Sequence, residues 1–265
     1  MNFTFAGIGA WGRGFQDWPS LHALLSGRSQ PEKLEFLPPK PASIPARERR
    51  RAPLSVKLAV EVAGQACEMA DVAPSETACV FASAMGDMDI TEYMCRTVVS
   101  NQPAVSPTKF HNSVHNAPVA YWSISSGITL SSNAVAAGHY SASASLMEAI
   151  NQCSVEGRPV LWVAQDIATP ACFRFMFDSD QPCAFALLLL PSEGKEEGSL
   201  SASLVAGDGN WPGLSGSLLR PLYEGNPSSR ILSCLEKLTG DSPFTFPEAM
   251  HMPVNEHLDL RLEAK

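Results

Sequence analysis

The chain has 265 residues, of which 45% are hydrophobic and 17% charged, a composition that suits a globular protein with a sizeable core. Its 27 acidic and 19 basic residues give a net charge of −8, which argues against nucleic acid or an anionic membrane surface as a partner. The longest apolar run, at 183–190, is too short for a membrane span, and the N-terminus shows no export signal. Seven cysteines without CxxC spacing indicate reduced thiols, so we expect a cytoplasmic protein.

In chain order, strands and helices alternate. The first half predicts a strand at 3–11, a short helix at 17–27, an irregular proline-rich loop at 28–52, an amphipathic helix at 58–70, a buried strand at 77–84, a helix at 89–99, a loop at 100–109 and a buried helix at 110–127. The second half predicts a strand at 159–165, a strand at 185–190 paired with one at 200–207, an amphipathic helix at 229–240 and a strand at 257–264. This order favours a single layered α/β domain over residues 1–265.

The segment SSNAVAAGHYSASASLMEA at 131–149 has the pattern of a strand that turns sharply into a buried helix. His139 stands at the bend, where a reactive residue would be presented. The sequence contains no cysteine between Cys95 and Cys153. The small residues Ser141 and Ser143 lack a G-x-S-x-G elbow, so we interpret them as allowing close helix packing.

Two further segments, SPTKFHNSVHNAPVAYWSISSG at 106–127 and GRPVLWVAQD at 157–166, complete a pattern that resembles the N-terminal half of the β-ketoacyl synthases. The resemblance covers roughly residues 1–190. It implies a thiolase-like layered fold with a shortened second half at 191–265. In that family a cysteine at the start of the central helix accepts the acyl chain. Counting from the matching motifs on either side places that cysteine position on His139.

The family's later His-Gly-Thr motif has no counterpart after residue 190, where His251 and His257 are not followed by Gly-Thr. The chain therefore resembles the chain-length factors, catalytically silent synthase homologues, and especially the short ones of aryl-polyene and xanthomonadin-type pathways. This resemblance implies that the chain is not an enzyme on its own. It would pair as a heterodimer with a catalytic β-ketoacyl-acyl-carrier-protein synthase and shape its acyl tunnel in polyketide or aryl-polyene biosynthesis.

The resemblance also places the dimer interface and the tunnel wall on the segment around residues 110–122. The residues concerned are Phe110, His111, His115, Asn116, Val119, Ala120, Tyr121 and Trp122. Phe110 is interpreted either as a core residue or as the side chain that blocks the tunnel, whereas Trp122 is expected in the core.

His111 and His115 have the spacing of zinc ligands on a helix, but no third ligand is apparent. We therefore predict capping and interface hydrogen bonds for this pair, and no metal site. GIGAWGRG at 7–14 lacks the glycine spacing of a dinucleotide-binding loop, so no cofactor is predicted.

A basic cluster precedes the helix at 58–70 and consists of Arg47, Arg49, Arg50 and Arg51. It is either a solvated surface or a contact for the acidic acyl carrier protein, whose phosphate and carboxylates pair with arginine. Cys172 and Cys183 are expected as small buried residues.

Two alternatives stay open at this point. The chain could be a short condensing or acyl-transfer enzyme that uses Ser141 or His139, although we expect His139 to be a hydrogen-bonded core residue. It could also be a stand-alone acyl or carrier-protein binding module.

Overall fold

The structure is a computed structural model that describes residues 1–101, 104–216, 218–238, 244 and 246–265. The strands are β1 (Asn2–Trp11), β2 (Ala78–Ala82), β3 (Ser132–Val135), β4 (Val160–Asp166), β5 (Cys183–Pro191), β6 (Leu200–Ala206), β7 (Met250–Pro253) and β8 (Leu258–Ala264). The α-helices are α1 (Trp18–Leu25), α2 (Ala46–Arg49), α3 (Leu54–Ala70), α4 (Met88–Val98), α5 (Pro107–His111), α6 (Ala117–Ser126), α7 (Ser141–Glu156), α8 (Arg220–Gly225) and α9 (Leu232–Leu235). No helix in the described ranges is long and apolar enough to cross a membrane.

The strands form one mixed sheet in the order β3-β2-β4-β5-β1-β6-β8-β7. β2 pairs in parallel with β3 and β4, and the other neighbouring strands are antiparallel. Helices α3 and α6 pack on one face of the sheet, and α7 packs on the other together with the C-terminal segments. The predicted layered α/β fold is confirmed.

Close packing of β1 on α3 explains the glycines of the sequence AGIGA. A Cβ atom at Gly7 would overlap the carbonyl oxygen of Ala66, and one at Gly9 would overlap that of Val62. The alternate residues Ile8 and Ala10 point to the opposite face and are completely buried. β1 therefore serves as a central strand that a helix backbone can approach closely.

The predicted pairing of the strands at 185–190 and 200–207 is wrong, because β1 lies between them. Phe3 pairs with Pro191 of β5 on one side and with Leu200 of β6 on the other. β5 is almost entirely buried and needs a neighbour on each side, and β1 and β4 take these two places. The charged turn 192–199 consequently passes the end of β1 instead of closing a hairpin.

The helix predicted at 110–127 is two helices, and the first begins inside the predicted loop. Ser106 caps α5 and Pro107 occupies its first turn, which is the position that proline favours. Pro118, which has no N–H group, stands in the first turn of α6, so the chain interrupts the helix between His111 and Ala117. A single turn, α2, likewise lies within the loop predicted at 28–52.

The amphipathic helix predicted at 229–240 is wrong in the residues that the structure describes. A 3₁₀ turn (Pro227–Ile231) leads into the single turn of α9, and both are almost completely buried. The polar side chains tolerate burial because they are hydrogen-bonded: Ser229 donates to the Asn226 carbonyl at 2.6 Å. Residues 239–240, the predicted end of the helix, lie outside the described residues.

Candidate functional site

The bend predicted at 131–149 is present between β3 and α7. A 3₁₀ turn (Gly138–Tyr140) connects them, and Gly138 has a φ of +55°, which favours glycine. The Ser141 hydroxyl closes the turn: it accepts from the Ala137 N–H at 2.9 Å and donates to the Gly138 carbonyl at 2.8 Å. His139 is thereby fixed two residues before the start of α7.

His139 is exposed in the isolated chain, so its prediction as a hydrogen-bonded core residue is wrong. One side of its ring packs against Phe177 with 4.6 Å between ring centroids, and no hydrogen bond of the ring is found among the described residues. Partial desolvation and then the charge of Arg230 lower the pKa of the imidazole below 6.5. The ring is therefore mainly neutral at pH 7.

The serines at the start of α7 are buried and engaged with the chain itself. Ser143 donates to the Pro253 carbonyl, which attaches α7 to β7. Ser145 accepts from the indole N–H of Trp162 at 2.7 Å and donates to the Ser141 carbonyl at 2.6 Å. These contacts hold the corner together, and they leave Ser141 without access to an external acyl group.

Asp166 forms a buried polar network beside the corner, at the carboxyl end of β4. Its side chain is fully buried and accepts from the Ser83 hydroxyl at 2.6 Å, the Ala84 N–H at 3.0 Å and the Ser228 hydroxyl at 2.6 Å. Burial raises the pKa of this carboxyl, and the hydrogen bonds oppose that shift. We did not predict this network, although an aspartate that ends the apolar strand VLWVAQD was a visible signal.

The network also reaches the predicted interface segment. His115 donates from Nε2 to the Ser83 carbonyl at 3.0 Å, so the segment that leads into α6 is attached to the residue that follows β2. His111 is exposed at the end of α5 and does not share a helix with His115. Within the ranges that the structure describes, no group of three or more His, Cys, Asp or Glu side chains could hold a metal ion.

The structure separates the eight predicted interface residues into three groups. Phe110, at 63% exposure, is at the surface together with His111 and Asn116. His115, Ala120 and Tyr121 are half-buried. Val119 and Trp122 lie in the core between α6 and α3, at 3% and 1% exposure.

An apolar groove runs along the outer face of α6, with a volume of about 550 Å³. α6 contributes one helical stripe to it, which comprises Ala117, Ala120, Tyr121 and Ile124. The opposite wall is formed by Ile44 and Pro45, just before α2. Sequence reasoning did not separate this outer stripe from the inner face that carries Val119.

The basic cluster lies next to this groove, on and after α2. Arg47, Arg50 and Arg51 are exposed. Arg49 is half-buried and donates to the Pro41 carbonyl at 2.8 Å, so it holds the preceding loop in place. Three of the four predicted arginines are thus available at the surface.

The two cysteines predicted as buried differ. Cys183 is completely buried at the start of β5, and desolvation raises the pKa of its thiol well above 9. Cys172 is exposed, so its prediction as a buried residue is wrong. It lies in the loop between β4 and β5, and the apolar residues around it in the sequence gave no sign that this loop is at the surface.

Comparison with known families gives one match, which covers most of the chain: residues 16–210 match the family described as beta-ketoacyl synthase, N-terminal domain. The chain belongs to the β-ketoacyl synthase family. The resemblance inferred from the corner and its flanking motifs is thereby confirmed. No curated protein matches the sequence of this synthase-family chain.

Solved structures agree with the family. A chain of the complex between the ketosynthase ApeO and its chain length factor ApeC from Xenorhabdus doucetiae is 22% identical, with 99% of both chains covered and a TM-score of 0.70. A chain of AntDE:AntF, a type II polyketide synthase acyl-carrier protein with its ketosynthase, is 12% identical, with 100% of this chain and 99% of that chain covered and a TM-score of 0.71. The ishigamide ketosynthase/chain length factor is 13% identical, covers 78% of this chain and 68% of its own, and has a TM-score of 0.63. At these identities the likeness establishes the fold.

Proposed function

We propose that this chain is a non-catalytic chain-length-factor subunit that pairs with an active β-ketoacyl-acyl-carrier-protein synthase. The observation that carries the proposal is the corner, where no cysteine lies between Cys95 and Cys153. The flanking family motifs imply that His139 stands at the position that holds the nucleophilic cysteine in synthases. Acyl transfer needs a nucleophile that is also a good leaving group, as a thiolate is. The neutral imidazole of His139 and the enclosed hydroxyl of Ser141 do not supply one.

The surface of α5 and α6 supports a permanent partner. Three apolar side chains project outward from this segment: Phe110, Val114 and Ile124, which are 63%, 53% and 83% exposed. Together with the groove on α6 they form an apolar patch of the kind that marks an interaction site. Obligate interfaces bury such apolar surface in their centre.

The edge strand β3 supports the same interface. β3 ends the sheet and pairs only with β2, so the backbone groups on its outer side have no partner strand in the described chain. Its sequence SNAV contains no charge and no proline, which are the usual protections of an exposed edge. A second chain that adds to this edge would satisfy these groups and would lie close to the corner.

In this proposal the subunit limits the length of the acyl chain, and Phe110 is the side chain that closes the partner's tunnel. Its exposure means that α5 presents a whole aromatic ring to the partner without using it for the chain's own core. Arg47, Arg50 and Arg51 would contact the acyl carrier protein, because guanidinium groups bind carboxylates and phosphate.

Co-expression with a full-length synthase tests the proposal. We expect the two chains to elute together in equal amounts by size-exclusion chromatography with light scattering, and the complex to condense an acyl thioester with a malonyl unit. Neither the isolated chain nor a complex with an inactivated synthase should condense. The His139→Ala complex should retain turnover within a few-fold. Loss of turnover in a folded, intact His139→Ala complex would contradict the proposal and give His139 a chemical role.

A further inference from the structure

Two pairs of exposed apolar residues lie outside α5 and α6, one at the end of α4 and one in the loop that follows β4. Val98 and Val99 at the end of α4 are 67% and 83% exposed, and Phe175 and Met176 in the loop are 82% and 48% exposed. We call these four residues the α4–loop surface. Exposed aromatic and aliphatic side chains that are grouped mark interaction sites.

Contacts within the loop keep the side chain of Phe175 exposed. The Thr169 N–H donates to the Ser179 carbonyl at 2.7 Å and closes the base of the loop. Arg174 and Asp178 form an ion pair of 3.4 Å within it. Phe177 turns inward and is 8% exposed, so the loop is anchored by one ring while it exposes another. A preordered aromatic of this kind loses little conformational entropy on binding.

The α4–loop surface adjoins the interface proposed above. At the base of the loop, the Thr169 hydroxyl contacts the Met85 sulfur at 3.9 Å, just before α4. Desolvation and then the carboxylate of Glu92 on α4 raise the pKa of the Cys172 thiol. Tyr93 of α4 contacts the next helix: its hydroxyl accepts from the Ser106 N–H at 2.9 Å, and Lys109 of α5 lies over its ring at 3.7 Å. α5 carries Phe110, so α4 connects the loop to the proposed interface.

The charges around this surface favour an apolar protein partner over an acidic one. Arg96 is paired with Glu92 at 2.6 Å, and Arg174 is paired with Asp178. Both arginines therefore have an anion of their own. A carrier protein, which is recognised through its negative charge, would find little unpaired positive charge here.

We infer that the α4–loop surface is a second contact region for the catalytic synthase subunit, with Phe175 as its anchoring side chain. The inference rests on the proposed heterodimer. A single aromatic that inserts into a partner pocket commonly dominates the binding free energy. The synthase should therefore present an apolar pocket opposite this loop, and complex formation should cover Cys172.

The test compares Phe175→Ser with Val155→Ser, which removes an apolar side chain of 76% exposure near the C-terminal end of α7. Val99→Ser serves as a second variant on the α4–loop surface. We expect Phe175→Ser to weaken the dissociation constant for the synthase about thirtyfold. Val155→Ser should change it by less than about threefold, and the thermal unfolding of all the isolated chains should be unchanged.

Labelling of the native chain gives an independent readout. Maleimide should modify Cys172 in the isolated chain and several-fold more slowly in the complex, as measured by peptide mass spectrometry. If the wild-type chains form a complex but Phe175→Ser and Val99→Ser bind like wild type and Cys172 is labelled equally, the inference is overturned and the heterodimer stands. If the wild-type chains form no complex, the proposed function itself fails. Weakened binding of the carrier protein alone would assign the surface to that partner instead.

Discussion

The hydroxyl of Ser228 donates a hydrogen bond of 2.6 Å to Oδ2 of Asp166, across 62 residues of sequence. Asn226, from the same segment, donates to the Asp166 carbonyl at 3.1 Å. Asp166 is the last residue of β4. Because β3 and β4 run parallel to β2, this residue lies at the same end of the sheet where β3 leads into the corner. The buried carboxylate therefore attaches the last quarter of the chain to the part of the sheet that positions His139 and His115.

Ser228→Ala should destabilise the chain because it removes a donor from a buried carboxylate. Hydrogen bonds to charged groups contribute roughly 1.5–3 kcal/mol, so we expect a loss of that size in the free energy of unfolding, measured by urea denaturation. Ser233→Ala is the matched control: its hydroxyl is equally buried and donates to the neutral Arg230 carbonyl at 3.0 Å. That control should cost about 1 kcal/mol. Equal losses for the two variants would mean that Asp166 is not charged in the native state.

His139 should make folding stability depend on pH. Its pKa is lower in the folded chain than the ordinary value of 6.5, so the unfolded chain binds more protons as the pH falls below about 6.5. The contribution of the neutral ring is present above that pH and is lost as the pH falls through the folded pKa. Because Gln does not titrate, His139→Gln should gain stability relative to wild type between pH 7.5 and pH 5. Urea denaturation at both pH values measures the difference in the free energy of unfolding between the variant and wild type. If that difference is the same at pH 7.5 and pH 5, the pKa of His139 is not lowered in the folded chain.

A charge introduced on α6 should disrupt the complex at one position and the fold of the chain at the neighbouring position. Ala120→Glu places a carboxylate on the outer groove, so we expect the complex with the synthase to dissociate while the isolated chain keeps its helical circular dichroism and melting temperature. Val119→Glu places the charge in the core and should unfold the chain, because an unpaired buried charge costs several kcal/mol. Val155→Glu, at an exposed site on α7, is the control for added charge. A complex that tolerated Ala120→Glu would place the interface elsewhere.

Phe110→Ala should lengthen the product. The side chain is exposed, so the free energy of unfolding should change by less than about 0.5 kcal/mol. Removal of the ring gives a growing acyl chain room at the interface, and each further buried methylene contributes roughly 0.8 kcal/mol. Mass spectrometry of carrier-bound products should show a shift toward longer chains. Val114→Ala removes a neighbouring apolar group and should leave the distribution unchanged. If the Phe110→Ala complex is fully active and gives the same product lengths as wild type, Phe110 is not the residue that limits chain length.

Local sequence patterns predicted most of the elements and the corner. The helical spacing of α3, the apolar run of β5 and the small residues that lead from β3 into α7 each reflect preferences that act within a few residues. The position of His139 followed from the same local register together with the family motifs. Its exposure did not, because burial depends on what other segments place around the ring.

The sequence by itself determined the layered α/β fold class, the family and the residue that stands at the corner. Tertiary structure alone decided that β1 separates β5 from β6, that Val119 faces α3 while Ala120 faces outward, and that Asp166 meets Ser228. The neighbours of a strand and the partners of a buried carboxylate are chosen by the packing of distant segments. That choice depends on the free energy of burying all of them together, and no short stretch of sequence contains it.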